Sequence, residues 1–177
     1  MQPTYTDQIR QQQQPQPPSA GQPDYSKIGG WLILITLGLI VAPIRISLLV
    51  FNDLLPVFKP EIWSVLTTPG SEAYHPLWKP LLIGELVGNL LFVAFSVILV
   101  VLLFQRKRIF PKLAIAYLVS NLIFVVADAY VVTLIPVAKA QGFDSATIKE
   151  ITRSVVGAAV WVPYFMVSKR VKGTFTR

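Results

Sequence analysis

Arg45, Glu85, Asp128 and Arg153 each stand inside, or at the edge of, one of four apolar runs in the 177-residue chain. A charge facing lipid is costly unless it snorkels to the interface, whereas two arginines and two carboxylates inside a helical bundle can neutralise one another. Three kinds of chemistry are open to such a set: pairing that glues helices together, a polar path for a solute, or a proton shared between Glu85 and Asp128. With a rise of about 1.5 Å per residue and alternating helix directions, Arg45 lies roughly 22 Å above the inner boundary. On the same scale Glu85 is roughly 8 Å below the outer boundary and Asp128 roughly 26 Å up. Arg153 marks the entry of the last run, so all four belong to the outer half. Asn89, four residues after Glu85, and Asn121, seven before Asp128, continue the same helix faces. The candidate buried polar cluster is therefore Arg45, Glu85, Asn89, Asn121, Asp128 and Arg153. Arg45 is expected to pair with at least one of Glu85 and Asp128, and Arg153 with the other or with a loop carboxylate.

The elements that must position these residues are membrane-spanning helices. Hydrophobic residues make up 53% of the chain and come in blocks longer than soluble core helices need. Crossing the hydrocarbon takes about 20 residues, and runs at 30–51, 80–104 and 112–135 meet that length. The fourth is charge-free only from Ser154 to Val167. Its helix is expected to begin outside the membrane near Ser145, with Thr147 and Glu150 spaced as a capping box, and to span 152–168. The fold class is then an all-α integral membrane protein with four transmembrane helices over residues 28–177, behind a Gln/Pro-rich tail at 1–27. That tail, with Gln11 to Gln14 and Pro15, Pro17, Pro18 and Pro23, has almost nothing apolar to bury and is expected to be disordered and cytoplasmic. It precedes the apolar run and no small-residue cleavage site follows, which argues against a signal peptide.

Two helices are expected to open on proline, Pro80 and Pro111, where a missing amide hydrogen costs little. The long outer loop from Asn52 to Lys79 contains Pro60 to Leu66, a candidate interfacial helix anchored by Trp63, with Tyr74 and Trp78 at the same level. Gly84 and Gly88 form a G-x-x-x-G pattern suited to close helix approach. Ser154, Gly157, Trp161, Tyr164 and Ser168 share one face of the last helix, a stripe best explained by packing. Pro43 and Pro163 interrupt helices inside the membrane, and Arg45 is placed to supply a donor to a carbonyl that Pro43 frees.

A formal charge of +7 invites a nucleic-acid reading, but the positions of the basic residues account for it otherwise. Arg10, Lys27, Arg106, Lys107, Arg108, Lys112, Lys169, Arg170, Lys172 and Arg177 fall on one side of the spans. Lys59, Lys79, Lys139, Lys149 and Arg153, balanced by acidic neighbours, fall on the other. This is the positive-inside pattern, with both termini in the cytoplasm, and it leaves no call for a nucleic-acid partner. Tyr164, Lys169, Arg170 and Lys172 put a kinked aromatic helix end before a cationic tail, the arrangement of topology-setting charge or of anionic-headgroup contacts.

The closing segment WVPYFMVSKRVKGTF, from Trp161 to Phe175, resembles the signature of a bacterial inner-membrane family known only as domain of unknown function 2569. GGWL from Gly29 and GLIVAPIR from Gly38 to Arg45 are similar to that family's opening. The resemblance runs from about residue 28 to the C-terminus. It implies a four-helix protein of the bacterial inner membrane and carries over no activity, substrate or cofactor.

Enzyme chemistry has little support. Cysteine is absent, the single histidine, His75, lies in the outer loop, and no P-loop, dinucleotide fingerprint or nucleophile elbow occurs. No catalytic residue, metal ligand or cofactor is expected. The leading reading is a non-enzymatic membrane module that packs against lipid, other membrane proteins or itself. A small transporter, channel component or proton-coupled device using the polar seam comes second, and an intramembrane enzyme third.

Overall fold

The computed structural model describes residues 30–143 and 145–176; the tail at 1–27 lies outside the described residues. All regular structure among them is helical. Four long helices, α1 (Trp31–Leu49), α3 (Trp78–Phe104), α4 (Phe110–Thr133) and α6 (Ser145–Val167), are joined and followed by short ones, α2 (Pro60–Thr67), α5 (Pro136–Gln141) and α7 (Lys169–Thr174). Three segments are long and apolar enough to cross a membrane: Trp31–Phe58, Trp78–Phe104 and Phe110–Thr133. Large apolar side chains such as Leu37, Leu91, Phe104 and Ile123 stand exposed on their outer faces. That distribution suits a hydrocarbon surrounding rather than water.

Each long helix packs on its neighbour in sequence: α1 on α3, α3 on α4, α4 on α6. The row is open, because α1 and α6 do not pack along one another. Two apolar cores hold it. The inner core gathers Leu32, Ile35, Leu99, Leu103, Phe110, Ala114, Tyr117 and Phe165, sealed from below by Val171 and Phe175. The outer core joins Ile46, Val50 and Leu54 to Leu82, with Trp63 and Trp78 packed on it.

Several boundaries differ from the sequence expectation, for local reasons. The first run does not end at Phe51: the chain stays helical through a π-turn (Val50–Leu54) and a 3-10 turn (Leu55–Phe58), so Asn52 and Asp53 belong to the helical extension. α3 opens two residues before Pro80, at Trp78, whose indole N–H donates to Ala73 O at 3.0 Å. α4 stops at Thr133 because Ile135, preceding Pro136, is driven to extended backbone, and Ile135 itself is fully buried. α6 begins at Ser145, the expected start, but Thr147 lies within its first turn rather than at its cap. Neither Pro43 nor Pro163 breaks its helix. α2 forms over the expected residues, but Trp63 stacks on Phe58 at 5.1 Å and joins the outer core, leaving Ile62 and Val65 as its exposed apolar side chains.

The turn between α3 and α4 closes with Arg106 at φ 54°, a place glycine usually takes. Arg106 N–H donates to Leu103 O and Lys107 N–H to Leu102 O, both at 3.1 Å, which satisfies the last carbonyls of α3. The G-x-x-x-G pair divides. A Cβ on Gly88 would stand 2.4 Å from the Phe124 ring of α4, while one on Gly84 would meet nothing within 4 Å. Gly88→Ala is therefore expected to cost about 1–3 kcal/mol by overpacking, and Gly84→Ala to be neutral or to gain about 0.5–1 kcal/mol, read by thermal unfolding in detergent.

Candidate functional site

Helix rotation decides where the charged residues point. Ile46 is buried in the α1–α3 contact, and Arg45, one residue or about 100° around the helix, is turned away from α3 toward α6. Its guanidinium meets Glu150 with both forks: Nη1 donates to Oε2 at 2.5 Å and Nη2 to Oε1 at 3.0 Å. Arg153, one turn further along α6, donates from Nη1 to the same Oε2 at 3.1 Å. One carboxylate thus holds two arginines. The Arg45 and Glu150 side chains are 32% and 22% exposed, so water screens the pair only in part.

This corrects the expected pairing. Arg45 takes neither Glu85 nor Asp128, and its guanidinium goes to a carboxylate instead of a carbonyl freed by Pro43. Depth along the axis was legible from spacing, but azimuth around α1 depends on which face packs on α3. Arg153 finds a carboxylate on its own helix, in place of one from α3, α4 or a loop.

Glu85 and Asp128 are left without an ion pair among the described residues. They line a chamber of about 560 Å³ together with Asn89, Asn121, Arg45 and Arg153, so all six members of the candidate cluster border one space. Glu85 and Asp128 lie within electrostatic reach of each other. The Asn89 amide does not reach across: it donates to the backbone carbonyl of Glu85 at 2.9 Å. Asn121 accepts from Ser154 Oγ at 3.2 Å, tying α4 to α6 beside the chamber. Asp53, Lys149 and Glu150 also border it, and none was in the cluster read from the sequence. Glu150 had a signal. It lies three residues before Arg153, on the turn preceding Ser154 and Gly157, although its spacing from Thr147 also suits a helix cap.

Toward the inner core the chamber meets a second cavity, a groove of about 460 Å³, and Arg45, Asn121 and Arg153 border both. Its walls are apolar: Leu34, Gly38 and Val41 from α1, Leu118 from α4, and Gly157 and Trp161 from α6. It occupies the gap where α1 and α6 fail to pack. No three His, Asp or Glu residues among those described are spaced to hold a metal ion. His75 sits in the loop, where its Nδ1 accepts from Leu77 N–H at 3.3 Å.

The match to a known family covers almost all of this framework. Residues 25–176 match the family described as a protein of unknown function, DUF2569. The chain belongs to the DUF2569 family. No curated protein and no solved structure matches it. The segment Trp161 to Phe175, which carried the family resemblance in sequence, has a definite structural task here. After Ser168, whose hydroxyl accepts from Val171 N–H at 3.3 Å, α7 turns back under the bundle. Phe175 stacks on Phe110 at 4.5 Å, Val171 and Thr174 are buried, and Lys169 and Lys172 are left exposed. Arg170 lies against Gly30 at the start of α1, and Tyr164 meets Trp161 and Phe165 edge-on. Of the four residues considered for headgroup contact, Lys169 and Lys172 therefore face outward, while Arg170 and Tyr164 are half-buried in the closure.

The pairing makes a measurable distinction. Arg45→Gln and Glu150→Gln are each expected to lower stability by about 1–3 kcal/mol, and the double variant to cost no more than the worse single, by unfolding in detergent. Combining Arg45→Gln with Asp128→Asn is expected to give a coupling less than half as large.

Proposed function

We propose that this DUF2569 protein is a non-enzymatic, four-span membrane protein of the bacterial cytoplasmic membrane, with both termini inside, that binds a ligand in its outer-half chamber. The observation that carries the reading is that Glu150 engages both arginines while Glu85 and Asp128 border a cavity with no ion pair of their own. Ionisable groups at such depth are functional candidates by default. A cluster serving only as glue would pair its charges.

The fourth span is supported by α6 itself. At 23 residues it is roughly 34 Å long, packs along α4, and keeps Lys149, Glu150 and Arg153 in its outer turns, two of them satisfied internally. The orientation is supported by the basic residues of the α3–α4 turn and of α7. They gather at one end, where Arg108 Nε donates to Thr176 O at 2.7 Å. A transporter or channel component fits the same chamber. Gly84, open on the outer face of α3, favours a second reading in which another helix docks there.

The absence of cysteine makes labelling free of background. In right-side-out vesicles, a membrane-impermeant maleimide is expected to label Val125→Cys, which borders the chamber, and Ser71→Cys in the outer loop. Ile123→Cys, on the exposed outer face of α4, is expected to stay unlabelled, and Lys172→Cys to react only after permeabilisation. Failure of Val125→Cys to label while Ser71→Cys does would remove the ligand-chamber reading.

A further inference from the structure

The groove between α1 and α6 is unusual in what lines it. Small residues on facing transmembrane helices ordinarily let the helices close on each other. Here Gly38 of α1 and Gly157 of α6 both border the groove, and a Cβ on either would meet nothing within 4 Å. The two helices stay apart and are bridged at the outer end by Arg45 and Glu150. Leu34 and Val41, exposed on α1, form an apolar rim, so the opening faces the acyl-chain region of the bilayer. Apolar walls suit a hydrocarbon chain. At about 460 and 560 Å³, the groove and the chamber each fall within the range of about 300–1,000 Å³ usual for small-molecule sites.

Polarity changes abruptly along this path. Beyond Arg45, Asn121 and Arg153 the walls become those of the chamber, where the uncommitted charges are carboxylates on α3 and α4. Both arginines are committed to Glu150, so an anionic head would have to displace an existing ion pair. A cationic head would gain two carboxylates that have no ion pair. An ammonium carries three donors and no acceptor, which matches acceptor-only carboxylates. Lys149, exposed at the chamber, stands nearby for a phosphate on the same molecule.

We propose that groove and chamber form one site for an amine-bearing phospholipid of the ethanolamine type. It enters sideways between α1 and α6, with an acyl chain along Gly38, Gly157 and Trp161 and its ammonium against Glu85 and Asp128. The inference rests on the chamber being a ligand cavity and names the class of ligand. The Arg45–Glu150 bridge lies above the chain and beside the head, so it acts as a fixed strap under which the lipid is held.

The test begins with the full-length wild-type protein in maltoside micelles, offered equal amounts of phosphatidylethanolamine and phosphatidylglycerol, with retained lipid counted by native mass spectrometry. Phosphatidylethanolamine is expected to be retained at least about fivefold over phosphatidylglycerol. The Glu85→Gln/Asp128→Asn double variant is expected to lose that preference. Gly157→Leu, filling the groove, is expected to lose the lipid while Val125→Cys placed in the same background still reacts with maleimide. In vesicles, phosphatidylethanolamine is expected to slow Val125→Cys labelling, and soluble phosphoethanolamine is not. Equal retention of the two lipids by the wild-type chain, a result that depends on no variant folding, or protection of Val125→Cys by the soluble head alone, would overturn the proposal. A Val125→Cys that stays unlabelled in vesicles free of phosphatidylethanolamine would instead sink the underlying reading of the chamber.

Discussion

Arg45 and Glu150 hold together two helices that do not pack along one another. α1 packs on α3 and α6 packs on α4, so the four long helices would form an open row if nothing bridged its ends. A bidentate guanidinium–carboxylate pair is the interaction best suited to that task, since its two parallel bonds fix direction as well as distance. The rest of the outer half follows from it. Glu150 is spent on the arginines, Glu85 and Asp128 keep their carboxylates for the space between the helices, and the gap beneath the bridge remains a groove.

The opposite end closes by a different means. There aromatic packing joins the elements: Phe110 against Phe165 at 5.9 Å and against Phe175 at 4.5 Å, with α7 laid beneath. Its lysines point out while Val171 and Phe175 point in, so one short segment serves both as a plug for the inner core and as part of a basic end. A bundle sealed by aromatic packing at the end that carries α7 and bridged by charge at the other end is asymmetric by construction. The chamber and the groove meet at Arg45, Asn121 and Arg153, and the groove reaches down between α1 and α6 to Phe110 and Phe165 of the inner core.

The comparison of residue patterns with the folded chain is instructive at three places. Gly84 and Gly88 are indistinguishable as a G-x-x-x-G pair, yet Gly88 takes the Phe124 ring against its backbone and Gly84 faces open space. Thr147 and Glu150 have the spacing of a capping box, yet the helix begins at Ser145 and Glu150 reaches across to α1. Trp63 reads as an interfacial anchor, but the neighbouring Phe58 draws it into the outer core. In each case a short motif was compatible with two partners, and the partner was chosen by residues distant in sequence.

The sequence by itself determined the class of protein, the approximate extents of the apolar helices, and the common level along them of Arg45, Glu85, Asp128 and Arg153, which border one chamber. These are one-dimensional quantities, set by hydropathy and by a constant rise per residue. Family membership was legible for the same reason, in the contiguous run from Trp161 to Phe175. Only the tertiary structure decided which charges pair, because pairing depends on rotation about each helix axis and on neighbour order, and both arise from side-chain packing between segments far apart in the chain. A difference of about 100° between Ile46 and Arg45 turned the arginine from α3 to α6, and with it left two carboxylates facing an open chamber.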